Sequence, residues 1–284
     1  MDDPKPTTAA FFLSSSAILY AEPRTRHPVK RDQSSPDGGA KQFQTTLWSV
    51  VLVSTQSQAP GSKEAFADLC KRYWYPLYAF IRYRGYSPED AEDLVQGFFL
   101  HLLEHKTLRR VDRSKGKFRS FLLASLKNHL SNEAERAACS KRGGKAEFVH
   151  LDLESAEVRY RLEPVDALTP EKIFDARWAL TLIGEALNRL NREYIARGNA
   201  NIFRALKPFL DPVNTKTLPS YAEVAAQLGI SVGALKMLIY RLRKQFTAFV
   251  REEISRTVSD SADVDGEIHQ LCEALVAAEG WIIL

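Results

Sequence analysis

Covalent chemistry needs a nucleophile, an acid–base pair or a metal set held at defined spacing, and the chain offers few such arrangements. His101 and His105 lie one helical turn apart, but no acid or Cys completes a metal-ligand set around them. Cys70, Cys139 and Cys272 are widely separated and lack CxxC spacing, which argues against a zinc site or a disulfide framework. The sequence holds no phosphate-binding glycine loop, nucleophile elbow, HExxH or paired catalytic carboxylates. The expectation is a protein that is not an enzyme and needs no cofactor or metal.

Its chemistry is that of charge displayed on helices. No carboxylate interrupts residues 231–251, where Lys236, Tyr240, Arg243, Lys244 and Thr247 share one face with Gly233. On the opposite face Leu235, Leu238, Ile239, Leu242 and Phe246 recur at about 100° per residue. Ser231 is placed to cap this helix, and Gly229 to turn the chain into it from a shorter helix carrying Val224, Ala225 and Leu228. A helix with an apolar back and a cationic, hydrogen-bonding front suits the DNA major groove, so 221–246 reads as a helix-turn-helix. A plain helical hairpin with a solvated basic face has the same periodicity, but would not need the turn glycine, cap and uninterrupted front together.

A second charge pattern lies upstream. Residues 86–104 hold five carboxylates and no Lys or Arg, whereas 106–145 hold twelve Lys or Arg against three acids. The net charge of the 284-residue chain is only +4, so it is this segregation that points to two different partners.

These patches must be positioned by helices. Residues 1–42 mix Pro, Ser, Asp, Lys and Gly without periodicity and read as a disordered tail. From Ser62 a long helix places Phe66, Leu69, Cys70, Tyr73, Leu77 and Phe80 or Ile81 on a core face, with Pro76 expected to bend it. Ser87-Pro88-Glu89 starts a second helix, with a cap, a proline at the first position and acids at the positive dipole end. That helix has one apolar stripe (Ala91, Leu94, Val95, Phe98, Leu102) and a second flank of Asp93, Gln96, Phe99, Leu100 and Leu103. Either a partner or the chain's own helices cover the second flank. A basic turn around Gly116 leads to a third helix with Phe121, Leu122, Leu126 and His129 or Leu130 inward. Lys117, Arg119, Lys127, Asn128 and Arg136 are then left for phosphates and bases. No run nears the roughly 18 apolar residues of a membrane span, and a cytoplasmic location is expected.

The motifs SPEDAEDLVQGFFLHLLE (87–104) and VDRSKGKFRSFLLASLKNHL (111–130), followed by the helix-turn-helix, resemble a bacterial RNA polymerase sigma factor of the sigma-70 family, extracytoplasmic-function (ECF) group. The resemblance covers about 62–145 and 171–255. It implies an all-α fold: a sigma region 2-like domain (43–145), a linker (146–170), a region 4-like helix-turn-helix domain (171–255) and, beyond it, a helical extension (256–284). Docking on the β′ clamp of core RNA polymerase then falls on Asp90, Asp93, Gln96 and Phe99. Opening and reading of the −10 promoter element falls on Arg113, Lys117, Arg119, Lys127 and Asn128. Reading of the −35 element in duplex DNA falls on Ser231, Gly233, Lys236, Tyr240, Arg241, Arg243 and Lys244, with Arg241 toward phosphate. An anti-sigma protein or a kinase is a further partner that the resemblance allows. The insertion at 191–218 departs from the family and bears on the β flap contact. Acids from Glu147 to Asp175 resemble a linker that mimics nucleic acid. The competing reading is a sigma-like helix-turn-helix regulator that binds DNA without polymerase and has no use for the acidic flank.

Overall fold

The computed structural model describes residues 62–104, 117–139, 156–157, 160, 168–210 and 218–278, and every regular element among them is helical. The 1–42 tail, Arg113 and most of the 146–170 linker lie outside the described residues. The elements are α1 (Ser62–Tyr83), α2 (Pro88–Glu104), α3 (Phe118–Cys139), α4 (Pro170–Ala196), α5 (Ala200–Leu206), α6 (Tyr221–Leu228), α7 (Val232–Ser255) and α8 (Val264–Ala277). Short 3-10 turns follow α5 at Lys207–Leu210 and precede α8 at Ser261–Asp263.

Four of the described helices, α2, α4, α6 and α7, start where the sequence supplies side-chain acceptors for orphan N–H groups. Ser87 Oγ accepts from the Asp90 N–H at 3.1 Å and donates to the Asp90 carboxylate at 2.9 Å, closing the first turn of α2. Thr169 caps α4 ahead of Pro170, and Ser220 forms a complete capping box with Glu223 on α6. α1 runs through Pro76 without interruption.

The core lies along α1 and α4. Phe66, Leu69, Tyr73, Leu77 and Phe80 line α1, as the periodicity predicts, and all are buried. On α4 the buried positions Phe174, Trp178, Leu182, Ala186 and Leu190 recur every four residues, and Ile173, Ala176 and Ala179 widen the buried face, so that α4 packs on α1, α7 and α8 at once. Tyr73 and Trp178 stack at 4.1 Å between centroids and 16° between planes, with Phe118 edge-on to Tyr73. Burying three large aromatics at one junction ties α1, α3 and α4 together. The apolar cluster continues without a break from Phe66 to Leu275, so the helices before and after the expected linker pack directly on one another. α8 closes over this junction with Leu271 and Leu275 buried.

Candidate polymerase and nucleic-acid interface

The first surface is the outer edge of α2. Ala91, Val95, Phe98 and Leu102 are buried, which leaves Asp90 and Asp93 exposed and Gln96 half-buried on the other side. Gln96 donates to Glu92 at 2.9 Å, one turn earlier. Phe99 corrects the expectation, because it is 5% exposed and meets Phe66 edge-on at 6.3 Å. The second flank is therefore partly covered by the chain's own α1. What stays open is an acidic rim on a rigid helix.

The second surface is the head of α3, and here expectation and structure part. Arg119 is 6% exposed. Its Nε and Nη2 donate to the Glu267 carboxylate at 2.9 and 3.1 Å, Nη1 pairs with Asp175, and Nη2 reaches Gln270. Lys117 Nζ lies 2.8 Å from Glu267 and donates to Gln270 at 2.6 Å. Further along, Lys127 pairs with Glu171 at 2.7 Å while about two-fifths exposed. Of the described residues expected on this surface, only Asn128 and Arg136 are plainly exposed, and Arg136 pairs locally with Glu133 at 2.8 Å. The reason for the correction is long-range: the acids come from α4 and α8, which lie 56 residues from Arg119 at Asp175 and 148 at Glu267.

Electrostatics balance within this cluster. Burial pushes the Glu267 carboxyl up, but hydrogen bonding and charge from Arg119 and Lys117 overcome it and hold the group below the ordinary carboxylate range. Asp175 goes the other way, because burial and the neighbouring Glu267 charge outweigh its contact with Arg119. Two cations and two carboxylates thus meet in a site largely shielded from water.

The third surface is α7. Gly229 adopts φ +66° and ψ 31°, and the Ile230 N–H donates back to Ala225 O at 3.0 Å, so α6 ends in a left-handed cap. Ser231 Oγ accepts from the Ala234 N–H at 3.2 Å and starts α7 two residues later. The axes of α6 and α7 turn through 96°, within the range of helix-turn-helix units. Leu235, Ile239, Leu242 and Phe246 are buried, and Gly233, Lys236, Tyr240, Arg241 and Lys244 are exposed. Arg243 departs from its expected place on the DNA-facing side. It is half-buried and donates through Nε and Nη2 to the Phe209 carbonyl at 3.1 and 2.9 Å, tying α7 to the turn after α5.

Several residues of these surfaces escaped the sequence reading. Tyr221, Val232 and Met237 are large apolar side chains left exposed beside Lys236 and Tyr240, and among the described residues four of the six such exposed groups lie in α6 and α7 when Tyr240 is counted. Their exposure follows from the 3.6-residue period once the buried stripe is drawn, so the signal was present. Glu267 and Gln270 carried no signal, since only tertiary packing brings α8 to α3.

Residues 69–138 match the family model of sigma-70 region 2. The match runs from within α1 through α2 and nearly to the end of α3. It supports the sigma-70 family and a role in transcription initiation that involves core RNA polymerase and promoter DNA. No curated protein and no solved structure matches the chain.

Proposed function

We propose that the chain is a promoter-specificity subunit of the ECF kind, which docks on core RNA polymerase and supplies its contacts to two promoter boxes. The observation that carries this reading is the coexistence of a region 2 match over α1–α3 with a capped 96° helix-turn-helix whose front is cationic and exposed. The exposed carboxylates Asp90 and Asp93 on α2 support docking to the polymerase β′ clamp. A free DNA-binding regulator has no use for such an edge.

In this reading the protein makes and breaks no covalent bond; the polymerase does. Lys236, Arg241 and Lys244 meet phosphates and orient α7 in the major groove, while Tyr240, Gly233 and the residues beside them face base edges of the −35 element. Each good base contact discriminates by about 1–3 kcal/mol. The −10 strand is taken by α3 and the turn before it, where separating bases costs a few kcal/mol that cationic and stacking contacts must offset. The domain division at 43–145 and 171–255, with the polymerase β flap meeting the second part, belongs to this proposal.

The test is reconstitution. Purified protein and core polymerase should co-purify and start transcription at a defined promoter selected from genomic DNA. A protein that binds duplex DNA tightly yet never co-purifies with core polymerase would be the regulator instead.

A further inference from the structure

We propose, resting on the functional reading above, that the head of α3 is a single-strand-binding surface which the chain's own α8 occupies as a strand mimic, so that α8 must leave before DNA enters. The geometry carries the argument. Arg119 presents a planar fork suited to a phosphate or a carboxylate, and Glu267 fills it with two hydrogen bonds at 2.9 and 3.1 Å. Lys117 meets the same carboxylate at 2.8 Å and the Gln270 amide oxygen at 2.6 Å. Glu267 and Gln270 thus set anionic and polar oxygens against two adjacent cations, as a backbone phosphate and a base carbonyl would.

Two further contacts close the head. The Phe118 N–H, at the orphan-donor end of α3, donates to the Thr257 carbonyl at 2.9 Å. Asp175 of α4 holds the remaining edge of Arg119. None of these partners is local to α3: Glu267 is 148 positions from Arg119, and Gln270 is 153 from Lys117. A helix whose only task was to fill the core would need its apolar residues Val264, Leu271 and Leu275 and no buried carboxylate.

The contact is suited to exchange. Desolvation offsets much of the Coulomb gain of a buried ion pair, so a carboxylate is a moderate ligand for Arg119. A polyanion brings several charges and releases counterions, which favours it at low salt. Departure of α8 frees Lys117 and one edge of Arg119, while α4 keeps Asp175 in place. Core polymerase or a melted strand is the agent that shifts this balance.

The experiment compares three full-length or near full-length proteins for binding to a fluorescent single-stranded oligonucleotide: the natural chain, Glu267→Gln, and a chain ending at residue 259. Circular dichroism checks that each variant keeps its helical content. The expected result is that both variants bind about tenfold or more tightly than the natural chain, the scale of one released charge contact. Hydrogen exchange on the natural chain gives a readout that no variant can confuse. Amides of 264–277 should exchange faster when oligonucleotide and core polymerase are bound. Equal affinity of all three proteins, or unchanged protection of α8 in the bound state, overturns the inference, as does failure of every form to bind the oligonucleotide. Co-purification of the natural chain with core polymerase keeps the functional reading in each of those cases; its absence removes that reading separately.

Discussion

At the scale of single residues, exposure separates function from packing. Asp93 stands on the solvent side of α2 with no part in the core. In the proposed role Asp93→Ala should weaken binding to core polymerase by about tenfold, the size of one interfacial charge contact, while changing stability by less than about 0.5 kcal/mol. Fluorescence titration with core polymerase and urea unfolding measure the two halves. Met237 offers a second case. It is 51% exposed on the front of α7, among Lys236, Tyr240 and Lys244. The apolar feature that the major groove displays is the thymine methyl group. If α7 reads duplex DNA as proposed, replacing a thymine that Met237 contacts by uracil in a selected target should weaken the natural protein several-fold, and Met237→Ala should bind both duplexes equally. Competition binding on the paired duplexes reads this directly.

Elements come next. The turn between α6 and α7 depends on Gly229 at φ +66°, and an added Cβ there would meet nothing within 4 Å. Gly229→Ala therefore carries only the backbone penalty of the left-handed region, about 1–2 kcal/mol. Thermal unfolding should show a fall of a few degrees. In the proposed role duplex affinity should fall too, because the 96° crossing would set how α7 enters the groove. The capping box of Ser220 and Glu223 serves the same joint, with Ser220 Oγ accepting at 3.1 Å and the Glu223 carboxylate returning the bond at 3.1 Å. α2 has a corresponding device in Ser87 and Asp90, so Asp90 has a structural task besides its exposure.

For the whole molecule, the stacked pair Tyr73 and Trp178 joins the first helix to the fourth. Trp178 is fully buried, and Trp178→Ala should cost about 3–5 kcal/mol by transfer and cavity terms. Urea unfolding followed by near-ultraviolet and far-ultraviolet dichroism should then show α1–α3 and α4–α8 losing structure at different denaturant concentrations. Within the ionic clamp, Glu267 adds a pH dependence of definite sign. The Glu267 carboxyl is held below its ordinary value of 4.5, because Arg119 and Lys117 overcome its burial. A carboxyl depressed on folding contributes stability above its unfolded value and loses it as pH falls through the folded one. The stability advantage of the natural chain over Glu267→Gln should therefore be complete near neutrality and shrink from about pH 4.5 downward. Paired urea titrations across pH 3–7 would detect it.

Local patterns of the sequence determined a large share of this protein. Periodicity in 221–246 and the caps at Ser87 and Ser231 determined where helices begin and which faces are apolar, because those forces act within one or two turns. The absence of carboxylates along 231–251 likewise made an open cationic front readable, and Lys236, Tyr240 and Lys244 are exposed there. Only the tertiary structure decided the partners of the charged and aromatic side chains. Phe99 turned inward because α1 brought Phe66 to it, Arg243 turned to the Phe209 carbonyl, and Lys117 and Arg119 were claimed by an acid from the far end of the chain. A helix period states which residues share a face but not what covers that face. Charge is long-ranged and indifferent to sequence separation, so the fate of the α3 cations rested on where α4 and α8 were packed.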